Sequence, residues 1–95
     1  MSRMLVIDNR PVEVEFAFQA PQAQEVFLTG DFNHWRSHDL RLRKDPAGFW
    51  RVEVWLAPGS YEYGFIVDGQ WQKDPRATAW VANDFGYSNG VLQIG

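Results

Sequence analysis

Two tryptophans, Trp35 and Trp71, each follow a tight polar turn, in the segments Gly30-Asp31-Phe32-Asn33-His34-Trp35 and Val67-Asp68-Gly69-Gln70-Trp71. Large rings in a small β domain mostly fill the core, so rings at loop and hairpin positions are set for contact with a ligand. A flat aromatic face packs on C–H groups, while neighbouring amides and carboxylates pair with in-plane hydroxyls. Asp31, Asn33, Gln70 and Asn89 are near enough in sequence to the two rings to supply those partners. A ligand with an apolar face and hydroxylated edges is, in chemical class, a sugar.

Other chemistries find little support. The chain has no cysteine, which removes thiol nucleophiles, disulfides and thiolate metal sites together and fits a reducing compartment. It also has no nucleophile elbow and no phosphate loop. His34 and His38 with Asp31 and Asp39 can be drawn as a metal cluster. Four-residue spacing brings two imidazoles together on a helix, however, and this segment reads as a loop, so neither a metal nor a cofactor is expected. Carboxylates are plentiful, yet nothing fixes a pair of them in a deep pocket, and an enzyme is not expected.

A formal net charge of −3 and a pI near 5.2 argue against a phosphate backbone or an anionic membrane surface as partner. Stacking of nucleic-acid bases on the aromatic rings is disfavoured on the same ground. The local basic cluster Arg41-Leu42-Arg43-Lys44 reads as a solvated strand with its charges outward. At 95 residues the chain is a single domain, residues 1–95, with a leader over 1–11 and a sandwich over 12–94. The leader's apolar run is too short for a secretion signal and no stretch approaches membrane-spanning length, so a soluble cytoplasmic protein is expected. A start at Met1 and so short a leader favour a stand-alone chain.

The elements that must position the two rings are strands. Period-two alternation dominates, no window holds a helical stripe with caps, and the expected fold is an all-β antiparallel sandwich. Val12, Val14, Phe16 and Phe18 alternate with Glu13, Glu15, Ala17 and Gln19; Pro21 breaks this run and Glu25 to Thr29 resumes it. Leu40 to Lys44 reads as one short strand, followed by the turn Asp45-Pro46-Ala47-Gly48 and a strand over Phe49 to Leu56. In that last strand Trp50, Val52, Val54 and Leu56 form the inward set, which leaves Trp55 facing out. Ser60 to Val67 runs into Asp68-Gly69, a two-residue turn of the primed kind. Such a turn pairs Val67 with Gln70 and Ile66 with Trp71, so Trp71 shares the less apolar face with Glu62, Gly64 and Ile66. Gly64 then offers no side chain to cover the ring. Asp74-Pro75 through Gly86 reads as loop with one short apolar stretch in which Trp80 stays undecided, and Tyr87 to Ile94 is the last strand.

The ordered set Val26-Phe27-Leu28-Thr29-Gly30-Asp31-Phe32-Asn33-His34-Trp35, Pro58-Gly59, Tyr63-Gly64-Phe65-Ile66-Val67-Asp68-Gly69-Gln70-Trp71, Asp74-Pro75 and Asn89 resembles the glycogen-binding domain of the β-subunit of AMP-activated protein kinase. More broadly it is similar to the early-set N-terminal domains of isoamylase and glycogen-branching enzymes, carbohydrate-binding module family 48. The match covers nearly everything from Val12 to Ile94. It implies an immunoglobulin-like β-sandwich that binds α-1,4-linked glucan in a shallow groove, with the two stacking tryptophans carried over to Trp35 and Trp71. It also implies that Phe85, Tyr87 and Asn89 fall on binding positions before and within the last strand; Asn89 matches, whereas Phe85 and Tyr87 stand where members carry a leucine and a threonine. A lysine that kinase-associated members place before the hairpin-strand phenylalanine is Gly64 here.

The expected site is therefore Trp35, Trp71, Asn89, Phe85, Tyr87, Asn33 and Gln70, in a non-catalytic module for glycogen, starch or maltooligosaccharide. The alternative is a docking or scaffolding domain beside a kinase or a glucan-active enzyme, with the sugar site vestigial.

Overall fold

The structure, a computed structural model, describes residues 9–95, so residues 1–8 of the expected leader lie outside the described residues. Among the described residues nine strands and one 3-10 turn follow in order: β1 Val12–Gln19, β2 Val26–Gly30, the turn Asp31–Asn33, β3 Leu40–Arg41, β4 Arg43–Lys44, β5 Phe49–Leu56, β6 Gly59–Val67, β7 Gln70–Gln72, β8 Trp80–Ala82 and β9 Ser88–Ile94. They form two antiparallel sheets. The smaller has the order β1-β5-β4; the larger has the order β3-β2-β6-β9-β8, with β7 also paired to β6.

The alternation read from the sequence decides what each sheet buries. Phe16, Trp50 and Leu56 of the small sheet meet Val26, Leu28, Tyr63 and Phe65 of the large one, and Leu42 joins them in one buried cluster. Aromatic pairs lock the layer, with Phe16 edge-on against Tyr63 and Phe18 tilted against Phe65, each at 5.0 Å between ring centroids. Trp50 belongs to this core and donates its indole N–H to Ala20 O at 2.8 Å. Trp55, on the opposite side of the same strand, is 65% exposed, as its parity requires.

Two expectations need correction. Leu40 to Lys44 is not one strand: Leu40–Arg41 pairs with β2 in the large sheet and Arg43–Lys44 pairs with β5 in the small one. Between them Leu42 turns into the core and donates its N–H to Val26 O at 2.9 Å, so the chain changes sheets at that residue. The stretch after Asp74 is also more than loop, since Trp80–Ala82 pairs with β9 as an edge strand. Short edge strands are held mainly by their partner, and their own sequence carries a weak signal.

The Asp68-Gly69 turn has φ of 48° and 81°, and the pairing it imposes is Val67 with Gln70 and Ile66 with Trp71. This places Trp71 on the outer face of the large sheet, beside Gly64.

Candidate functional site

Three segments converge on the outer face of the large sheet: the loop after β2, the β6–β7 hairpin and the loop between β8 and β9. The first carries Trp35. Gly30 donates its N–H to Asn33 Oδ1 at 3.0 Å, Asn33 Nδ2 donates to Arg36 O at 3.1 Å, and Trp35 N–H returns to Gly30 O at 2.8 Å. The loop closes only because His34 and Trp35 both adopt φ of 57°. Left-handed backbone costs a non-glycine residue about 1–2 kcal/mol, and here it lifts a ring that stays 42% exposed. Asp31 ties the loop to the sheet by accepting the Glu62 N–H at 3.1 Å.

Trp71 lies down on the strand beside it. A Cβ added at Gly64 would stand 2.1 Å from Trp71 Cζ2, so the indole occupies the space a side chain would fill. Its N–H donates to Ser88 O at 3.1 Å, which fixes the ring's direction. The two indoles meet at 6.3 Å between centroids with planes tilted by 44°, an angled pair rather than a stack. Below them Thr29, paired with Gly64, is 3% exposed and its hydroxyl is a buried polar atom with no hydrogen-bond partner.

The third segment is a hairpin loop closed on one side chain. Asn83 Oδ1 accepts the N–H of Phe85 at 2.9 Å and of Tyr87 at 3.0 Å, while its own N–H reaches Tyr87 O at 2.8 Å. Gly86 takes φ of 82° at the tip. The loop leaves Phe85 84% exposed, the most open of the large apolar side chains among the described residues.

Together these segments enclose an open cleft of about 600 Å³ lined by Trp35, Glu62, Trp71, Ala82, Asn83, Asp84, Phe85, Tyr87 and Asn89. Five of the seven expected residues thus come together: Trp35, Trp71, Asn89, Phe85 and Tyr87. Asn33 and Gln70 do not line the cleft; Asn33 spends its amide on the loop that raises Trp35. Asn89 lines it but is 6% exposed, with Nδ2 donating to Glu62 Oε1 at 3.2 Å and Oδ1 accepting from Asn83 Nδ2 at 3.0 Å. Glu62, Asn83 and Asp84 were missed. For Glu62 the signal was present, because strand parity already put it on the face of Trp71.

The remaining tryptophan and the histidines resolve without chemistry. Trp80 donates its N–H to Asp74 O at 2.9 Å and lies under Lys73, whose ammonium is 5.3 Å from the ring centroid. His38 packs on Phe27 at 4.9 Å and pairs with Ser37. Among the described residues no group of three or more His, Cys, Asp or Glu side chains is arranged to hold a metal ion.

The sequence matches a known family. Residues 12–95 match the model of the glycogen recognition site of AMP-activated protein kinase. The chain belongs to that family. Its relatives include protein PTST homolog 2, chloroplastic, of Arabidopsis thaliana, 42% identical over 72 residues, which are 76% of this chain and 13% of the relative. Protein FLOURY ENDOSPERM 6, chloroplastic, of Oryza sativa subsp. japonica is 40% identical over the same proportions. The 5'-AMP-activated protein kinase subunit beta-1 of Sus scrofa is 35% identical over 71 residues, 75% of this chain and 55% of that protein. The chain thus spans about one eighth of the two chloroplastic relatives. As a member of the glycogen-recognition family it has the all-β antiparallel sandwich expected of it, and no helix among the described residues is long and apolar enough to cross a membrane.

Proposed function

We propose that this domain is a non-catalytic module that binds α-1,4-glucan, as glycogen, starch or maltooligosaccharide, between Trp35 and Trp71. The observation that carries the reading is the angled pair of indoles, 6.3 Å apart and tilted by 44°, walling a cleft with polar side chains at its floor and rim. Two planes at that angle present successive faces to successive glucose units of a curved chain, while Phe85 at the rim adds a third apolar surface. Each partly exposed stack contributes about 1 kcal/mol beyond area burial, so a single module binds in the micromolar to millimolar range and gains strength by repetition along a polymer. The description of the matching family, the glycogen recognition site of AMP-activated protein kinase, supports the same reading.

A titration with maltoheptaose and β-cyclodextrin, followed by tryptophan fluorescence and NMR shifts, tests it. Saturable binding is expected, weakened at least about tenfold by Trp35→Ala and by Trp71→Ala in folded variants. No shift at millimolar sugar sinks the sugar reading and leaves the second one, docking on a kinase or a glucan-active enzyme. Trp55, exposed on the far sheet and remote in parity from the cleft, favours that second reading. A cytoplasmic location is part of this reading and the cysteine-free composition fits it, while two relatives carry a chloroplastic designation in their names.

A further inference from the structure

The polar groups lining the cleft differ in what they have left to offer a ligand. Both ends of the Asn89 amide are engaged, Asn83 is spent on the loop and on Asn89, and the Trp71 N–H is spent on Ser88. Glu62 is different. Its Oε1 accepts from Asn89, its backbone N–H is anchored by Asp31, and no hydrogen bond from the described residues reaches its Oε2. Asp84 stands at the rim with neither oxygen bonded to a described residue, and the lining includes neither lysine nor arginine. What remains for a ligand is the Tyr87 hydroxyl, on a side chain that is 55% exposed, and the carboxylate acceptors of Glu62 and Asp84.

We propose that Glu62, oriented by Asn89 and Asp31, is the side chain that reads the sugar hydroxyls, and that with Asp84 it restricts the cleft to uncharged glucan, rejecting chains that carry phosphate monoesters. The inference rests on the glucan reading above. A carboxylate accepts from hydroxyl donors in charge-assisted bonds roughly twice as strong as neutral ones. An acceptor-only group has nothing to give a phosphate oxygen, and two negative charges repel it over a Debye length that is about 10 Å at 0.1 M salt and longer at lower salt. Like charges brought together at an interface act chiefly as a filter between ligands, which is the role assigned here.

The test compares maltoheptaose with maltoheptaose bearing one phosphate monoester, by calorimetry at low and high salt. The neutral sugar is expected to bind about tenfold more tightly at about 20 mM salt, with the gap closing near 0.5 M. Glu62→Gln keeps an oxygen for Asn89 and the shape of the side chain. It is expected to weaken the neutral sugar about threefold and to narrow the preference, which Glu62→Gln with Asp84→Asn abolishes. Equal affinity for the two sugars in the wild type at low salt overturns the proposal while leaving glucan binding intact. A Glu62→Gln variant with unchanged affinity and unchanged preference also overturns it. If neither sugar binds, the glucan reading fails and this one falls with it.

Discussion

Tyr63 is the residue on which the large sheet and the loop behind it depend. Its ring sits in the core and its hydroxyl donates to Asp74 Oδ2 at 2.5 Å; Asp74 in turn accepts the Arg76 N–H on Oδ1 and the Trp80 N–H on its carbonyl. Burial, and next the bond to Asp74, push the Tyr63 phenol well above its ordinary value of 10.0. The sign follows: the stability this hydroxyl supplies is complete below about pH 10 and is lost as the pH rises beyond. Tyr63→Phe preserves the ring contacts but leaves a buried carboxylate oxygen without its donor, and a loss of about 1–3 kcal/mol is expected in urea denaturation. A variant as stable as the wild type would show that water reaches Asp74 and that the pair carries no weight. At this scale the sequence was uneven as a guide. Parity alone put Trp71 outside, and Trp50 inside, because each ring sits in a strand with clear alternation. That Asn89 is spent internally could not be read, since its partners Glu62 and Asn83 are 27 and 6 residues away and the choice between bonding them and bonding a ligand is made by packing.

The β6–β7 hairpin converts a local rule into a binding surface. A two-residue turn with positive φ at both positions leaves only one register, so the ring's face was legible from Asp68 and Gly69 alone. Asp68 also holds the hairpin to the chain entering β2, accepting the N–H groups of Gln24 and Glu25 at 2.9 Å each. Gly64 is from the element's side a seat for Trp71. Gly64→Ala is expected to lift the indole off the strand, cost about 1–3 kcal/mol in stability and weaken maltoheptaose binding about tenfold. Near-UV circular dichroism reports the ring movement independently; an unchanged spectrum with unchanged affinity would refute the seat. The division of Leu40 to Lys44 into β3 and β4 escaped the same kind of reasoning. Alternation runs through a sheet-to-sheet crossing without interruption, because Leu42 points inward whether the strand is one or two.

Across the whole molecule the two sheets are held unequally. Both sheets contribute to the buried cluster, but the large one carries the cleft, whereas the small one is fastened at its outer face by a polar knot centred on Arg51. Arg51 Nε donates to Asp45 Oδ2 at 2.8 Å and Nη1 to Glu15 Oε1 at 2.6 Å, joining β5 to β1 and to the turn before β5. Asp45 Oδ1 further accepts the N–H groups of Ala47 and Phe49, so the carboxylate organises the turn as well. The bond from Arg51, followed by that from Phe49, holds the Asp45 carboxyl below its ordinary value of 3.8. A carboxyl lowered on folding adds stability above its unfolded value and loses it as the pH falls through the folded one. The domain is therefore expected to lose stability as the pH falls below about 4, where the unfolded chain takes up a proton at Asp45 more readily than the folded one. Asp45→Asn should lower the midpoint at neutral pH and flatten part of the acid limb. A variant whose midpoint falls with acid as steeply as the wild type's would assign that limb to other carboxylates. Because the knot lies on the sheet opposite Trp35 and Trp71, glucan affinity is expected to survive the substitution, which separates what holds the sandwich from what the sandwich holds.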